Sequence, residues 1–281
     1  MSKVIAWQPT TFLRLEEALD TSMGTARIVT DVGPAYLKAL GNPQGPHPLA
    51  CEWVATKLAR WIGLPTFEFA LMPIDSDVDE IPFHRGGMAA SGTAFVTRAT
   101  AGHTWGGTTE ELDNLVNPRT ISRLVIFDTW TLNCDRHPPD LTQRKPNYDN
   151  VFLADGIGEE VGRSRLVAMD HTHCFTCGRD LNVKVATVDR VKDDRLYGLF
   201  PGFMPKVRQD EVEAGIVRLK ELDQTVVDEI VATIPADWEV SEGARNALKE
   251  LICRRASYVA ENMLAAVGKA CWPGQLFDNA S

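Results

Sequence analysis

Hydrophobic and polar positions alternate in short runs over roughly the first hundred residues and then change to a helical spacing. Residues 26–32 and 35–40 carry the alternation of strands, and Gly33-Pro34 between them predicts a turn. A breaker-rich stretch at 41–48 precedes a helix predicted over 49–62, where Trp53, Leu58, Trp61 and Ile62 form an apolar stripe and Gly63 a stop. Two further strands are expected at 67–74 and 92–98, joined by a surface loop that is first acidic and then glycine-rich. Beyond it, Ile121, Leu124, Val125, Phe127 and Trp130 give 120–132 the pattern of a buried helix. Two β-like runs follow at 150–153 and 166–169. From 209 onward three helical patterns recur, broken at Pro235 and Ser241, with Trp238 and Leu248 in the core. The expected organisation is α+β: a small β-rich lobe over residues 1–98 and a larger helical lobe over 99–281.

Composition narrows the class. The chain has 281 residues, 44% of them hydrophobic, and a formal charge of -9, which excludes a disordered or fibrous protein and argues against bulk nucleic-acid binding. No run reaches the ~18 apolar residues of a membrane helix, and residues 1–20 lack the features of a signal peptide. A cytoplasmic protein with no membrane contact is therefore expected, its six cysteines reduced.

The polar residues gather at the ends of apolar elements. The predicted helix at 120–132 opens into Asn133, Asp135, Arg136 and His137; Asn150 begins one strand and Asp170 ends another. Hard oxygens from an Asp and an Asn suit Mg²⁺ shared with phosphate, and a further Asp can take a proton from an attacking hydroxyl. The alternative for single residues is that Asp135 caps a turn and His137 is a packed imidazole. Lys38 lies inside an apolar strand, where an ammonium is costly unless paired, and Glu52 lies in the first turns of the next helix. A rival set, His171, His173, Cys174 and Cys177, offers four zinc ligands, but within seven residues, too close for the usual two separated pairs.

Asn133-x-Asp135-Arg136-His137, Asn150-Val151-Phe152-Leu153 and Ala168-Met169-Asp170-His171 together resemble the catalytic loop and metal motif of HipA-like kinases, and also the Asp-Arg-His loop of phosphatidylinositol-type kinases. The run from Glu52 to Pro65 is similar to the same family. The resemblance implies a two-lobed protein-kinase-like fold that uses ATP and Mg²⁺ to phosphorylate a protein or small-molecule hydroxyl, a serine/threonine kinase being favoured. It implies that Asp135, with His137, forms the catalytic loop, that Asn150 and Asp170 bind metal, and that Lys38, paired with Glu52, contacts nucleotide phosphates. Ser22, Met23, Gly24 and Thr25 occupy the place of the phosphate loop, though with a single glycine. Trp105 with Gly106-Gly107 falls, by analogy, near the nucleotide pocket. Here the chain departs from the family, which has only a few residues before the metal Asn, whereas Asn150 stands 15 positions after Asp135. Residues 138–149 read as an exposed insertion, and Asn147 and Asp140 stay open as alternatives to Asn150. A catalytically weak nucleotide-binding module of the same fold is the other functional expectation.

Overall fold

In the computed structural model, which describes residues 7–156 and 158–273, five antiparallel strands form one sheet. They are β1 (Phe12–Ala18), β2 (Ala26–Thr30), β3 (Gly33–Lys38), β4 (Phe69–Ile74) and β5 (Gly92–Arg98), in the order β1-β2-β3-β5-β4. Helix α1 (His47–Trp61) connects β3 to β4 and carries Pro48 in its first turn, where a missing amide costs nothing. A second sheet, β6-β7-β8, is built from β6 (Gly102–Thr104), β7 (Val151–Asp155) and β8 (Ser164–Ala168). The helices are α2 (Thr109–Asp113), α3 (Thr120–Thr131), α4 (Val188–Val191), α5 (Gln209–Lys220), α6 (Gln224–Ala232) and α7 (Glu242–Cys271). The fold is α+β, a β-rich sheet region joined to a helical one. Among the described residues no helix is long and apolar enough to cross a membrane.

The period of two in the strands decides what the first sheet presents to each side. Ala26 and Ile28 of β2, Ala35 and Leu37 of β3, and Ala94 and Val96 of β5 point to one face and form a small core with Ile81 and Phe83. The loop at 75–92 is therefore not wholly a surface feature, because its middle is buried. On the opposite face Lys38 is paired across the strands with Phe95, and Phe95 and Phe69 meet the Trp53 ring of α1 edge-on at 6.3 and 5.4 Å. Register alone thus directs the Lys38 side chain toward α1. The larger core begins at α1 and continues through α3 to α7.

Several boundaries differ from the sequence expectation. The hairpin turns at Asp31-Val32, between paired Thr30 and Gly33, so the first strand is shorter than expected and Gly33 and Pro34 belong to the second. Thr30 fixes this turn by donating its hydroxyl to the Gly33 carbonyl at 2.7 Å. Strand β1 was not expected; its Leu-Arg-Leu-Glu-Glu stretch has no clean alternation because it is an exposed edge strand. In the C-terminal third, α5 and α6 are separate helices because Asp223 accepts from the Thr225 amide at 3.1 Å and starts α6 anew.

The helical region is held by a buried cation. Arg255 of α7 is fully buried and donates to the carbonyls of Thr129 (2.7 and 3.0 Å), Arg190 (2.9 Å), Val191 (3.2 Å) and Asp193 (2.9 Å). It ties the end of α3, and the end of α4 with the residues just after it, to the long C-terminal helix. Arg255→Ala strands these four carbonyls, each costing roughly 1–3 kcal/mol when buried without a partner. The variant is expected to lose at least ~3 kcal/mol of unfolding free energy in urea titration; an unchanged midpoint would show that the staple is dispensable.

Candidate active site

The site is built outward from the C-terminus of α3. Leu132 adopts a left-handed conformation (φ 55°) that stops the helix, and its amide still reaches the Asp128 carbonyl. Asn133 then folds back, donating its side-chain amide to Asp128 Oδ1 at 2.9 Å and accepting from the Asp135 amide at 3.2 Å. Arg136, fully buried, donates Nε to Asp128 Oδ2 at 2.7 Å, and its other nitrogens reach the Asn150 carbonyl, the Met169 carbonyl (3.1 Å) and His171 Nδ1 (3.4 Å). One guanidinium therefore joins the segment after α3 to the start of β7 and the end of β8. Gly198, with φ 72°, packs directly on the Asp128 carboxylate where any Cβ would collide, and donates its amide to the His137 carbonyl at 2.9 Å.

Two clusters result. In the first, Lys38 Nζ lies 2.7 Å from Glu52 Oε2 and 3.1 Å from Asp170 Oδ1. Glu52 Oε1 accepts the His171 amide at 3.1 Å, and the Thr172 hydroxyl donates to Asp170 Oδ1 at 2.8 Å. Burial alone would lower the Lys38 ammonium and raise Asp170, but the opposite charges outweigh it, holding Lys38 above its ordinary range and Asp170 well below. Glu52 differs: its burial dominates and raises it in spite of Lys38. In the second cluster Asp135 Oδ2 takes the side-chain amide of Asn150 at 2.8 Å and that of Asn147 at 3.4 Å, with His173 Nδ1 at 3.6 Å. Its Oδ1 takes Arg144. Thr172 and His173 bridge the clusters, the hydroxyl of one lying 3.3 Å from Nδ1 of the other.

Lys38, Glu52 and Asp170 line a cleft of about 270 Å³ between the two sheets. Its remaining walls are largely apolar, among them Leu19, Tyr36, Phe67, Phe95, Phe152, Ala168 and Met169, which suits a flat heterocycle beside a charged group. Asn150 commits its NH₂ to Asp135, and Asp170 commits Oδ1 to Lys38 and Thr172. The oxygens left, Asn150 Oδ1 and Asp170 Oδ2, are hard donors that fit Mg²⁺ shared with phosphate.

Not every sequence candidate lies here. His137 joins neither cluster; its ring packs edge-on against Phe200 at 5.0 Å, and burial lowers its pKa. In the loop between β1 and β2, Thr21 and Thr25 line the cleft, whereas Ser22 is exposed, Met23 is in the core and Gly24 (φ 63°) rests on Phe83. In that loop the Asp20, Ser22 and Met23 amides lack an acceptor among the described residues, the Gly24 and Thr25 amides being bound by Thr21. Asp140 caps its own turn, accepting from the Thr142 amide at 2.9 Å, and is not at Asp135. Trp105 does not line the cleft but stacks on Phe203 at 4.9 Å. The His171 to Cys177 set is dispersed: His171 faces Arg136, His173 faces Asp135, Cys174 lies against Thr131, and Cys177 faces Cys134. Among the described residues no three His, Cys, Asp or Glu side chains are grouped to hold a metal ion.

Sequence reasoning passed over Asp128, Arg144, Thr172 and the place of His173. Asp128 had a signal, a lone carboxylate inside an apolar helix five residues before Asn133. For Arg144 there was none, since nothing local says where a loop returns.

A model of the HipA-like kinase family matches residues 35–266, and the chain belongs to that family. Among solved structures, the Helicobacter pylori proinflammatory kinase CtkA aligns over 93% of this chain and 96% of its own, with a TM-score of 0.58 at 12% identity. The Fam20 structure from hydra, solved with sugar, aligns over 90% of this chain and 84% of its own, with a TM-score of 0.48 at 12% identity. No curated protein matches the sequence. The likeness to CtkA shows a kinase-like fold.

Two outcomes are expected from this geometry. Lys38→Met leaves Glu52 and Asp170 facing each other without a cation. A buried glutamate raised above its unfolded value of about 4.3 stabilises fully below that value and loses the contribution as pH rises through the folded one. Urea midpoints of Lys38→Met should therefore fall more steeply from pH 5 to pH 8 than those of the wild type; parallel profiles would dismiss the ion cluster as a stability element. For zinc, elemental analysis after purification without chelator should give far less than one equivalent per chain, and a full equivalent lost on mutating Cys174 and Cys177 would contradict the dispersed geometry.

Proposed function

We propose that the chain is an ATP- and Mg²⁺-dependent serine/threonine protein kinase. The observation that carries this reading is the juxtaposition of the Lys38–Glu52–Asp170 cluster with the Asp135–Asn150 pair through Thr172 and His173. Mg-ATP, when bound, supplies the transferable γ-phosphoryl group and the cation that neutralises its oxygens. Lys38, released from Asp170 toward the nucleotide, contacts phosphate while Glu52 keeps its ammonium in place. Asp170 and Asn150 would hold the metal, each having an oxygen not committed to another residue. Asp135 orients the acceptor hydroxyl and takes its proton, and Arg136, locked on Asp128, keeps the loop from drifting. The Ser22 and Met23 amides are available to the outer phosphates. Tyr36, Phe67 and Phe152 enclose the base. The six cysteines, all thiols, support a reducing, cytoplasmic compartment. A nucleotide-binding module without transfer activity has no chemical need for a carboxylate oriented as Asp135 is.

Chemistry and binding separate in two variants. Asp135→Asn should cut phosphoryl transfer by about 10²–10⁴, the usual share of general-base catalysis, with Mg-ATP affinity kept within a few-fold. Asp170→Asn should lose both transfer and Mg²⁺-dependent nucleotide binding. Calorimetry with a nonhydrolysable ATP analogue, beside a ³²P-transfer assay, reads the two; full turnover in either variant would overturn the assignment.

A further inference from the structure

We infer that Arg144 selects the acceptor, occupying its place on Asp135 and yielding it to a peptide hydroxyl flanked by carboxylates. This rests on the kinase reading above and adds the substrate class.

The two oxygens of Asp135 have different neighbours. Oδ2 is turned to Asn147, Asn150 and His173, and Asn150 is the residue assigned to the metal, so Oδ2 is the nucleotide-facing oxygen. Oδ1 is the one left for an incoming hydroxyl, and its partner is Arg144. Arg144 stands where an incoming hydroxyl must sit on that oxygen, so transfer requires Arg144 to leave.

The loop is built to let it leave. Its base is fixed: the Asn147 amide donates to the Arg136 carbonyl at 2.8 Å, and Asn147 Oδ1 accepts from the Asp149 amide at 3.2 Å. At the other end Asp140 closes a turn on Thr142. Between them Leu141 to Gln143 and Lys145 are exposed, and the Arg144 side chain is 36% exposed. Among the described residues Asp135 is the only ion-pair partner of Arg144. Its guanidinium can therefore swing without disturbing the base or the metal side.

What replaces it decides specificity. A neutral acceptor offers Asp135 a hydroxyl but leaves the guanidinium unpaired. An acceptor with its own carboxylate beside the hydroxyl compensates both groups, since a guanidinium binds any carboxylate through the same planar fork. Exposed Lys145 adds a second positive charge at the same rim. Basic acceptors meet like charge and are rejected.

The probes are fluorescein-labelled serine peptides identical except for Glu, Ala or Arg on both sides of the serine. Binding is read by anisotropy with Mg²⁺ and a nonhydrolysable ATP analogue, and transfer by ³²P incorporation from ATP. The wild type should bind the Glu peptide about tenfold more tightly than the Ala peptide, the scale of one charge-assisted contact. Arg144→Ala should erase that difference and raise transfer to the Ala peptide, and Arg144→Lys should keep part of the preference. Equal binding of Glu and Ala peptides by the wild type, or an unchanged preference in Arg144→Ala, overturns the inference. So does an equal loss of kcat on all three peptides at constant KM, which would place Arg144 on the transferring phosphoryl group. A binding preference with no transfer to any peptide upholds the role of Arg144 in acceptor docking and instead refutes the kinase reading.

Discussion

The buried ion pair of Asp128 and Arg136 is the constraint on which the rest of the site depends. Both side chains are fully removed from solvent, and taking two charges out of water costs several kcal/mol each. That cost is offset only because every side of the pair is engaged: Asn133 on the carboxylate, and two carbonyls and an imidazole on the guanidinium. Three separate chain segments thereby acquire one fixed arrangement. If either charge were lost, the other would be left buried and unpaired, so the arrangement is all-or-none rather than gradual. His171 is part of the same economy: burial and the neighbouring guanidinium hold its pKa far down, so it stays neutral and its Nδ1 can accept.

A second, softer constraint joins the first sheet to this frame. Glu52 spends one oxygen on Lys38 and the other on the His171 amide, so a single carboxylate relates β3, α1 and the segment after β8. Unlike the Asp128 pair, this group borders the cleft, and Lys38 retains some exposure at 12%. Lying at the cleft, the cluster is open to exchange with an anion that enters, and the Asp128–Arg136 pair takes no part in that exchange. The rigid pair and the exchangeable cluster divide the work of holding the site and of answering to what enters it.

How much of this was legible in the sequence follows from the range of each interaction. Lys38 and Glu52 could be read because a charge in an apolar strand or helix needs a partner, and Asp135, Asn150 and Asp170 because each stands where an apolar element ends. Period and termination are local properties. The fate of His137, Met23 and Trp105 was not legible, since whether a side chain faces a cleft or a core depends on elements far along the chain, Phe200 and Phe203 for two of the three. The four ligands between His171 and Cys177 look like one site in sequence, yet left-handed residues at Phe175 and Cys177 (φ 63° and 53°) reverse the chain and send them to different neighbours. Edge strand β1 was invisible for a plainer reason: a strand with both faces partly wet has no hydrophobic alternation to display.

The anchoring of the loop after His137 has an evolutionary consequence. Because Arg136 fixes one end and Asn147 to Asn150 the other, the residues between contribute closure entropy but no support to the Asn150 side of Asp135. Doubling the length of such a segment costs only ~0.6 kcal/mol. Length and composition there can therefore drift almost freely, and the stretch behaves as an exchangeable cassette: lineages sharing one phosphoryl-transfer apparatus can diverge in what they recognise by rewriting about ten residues, with the buried ion pair insulating the chemistry from each rewrite.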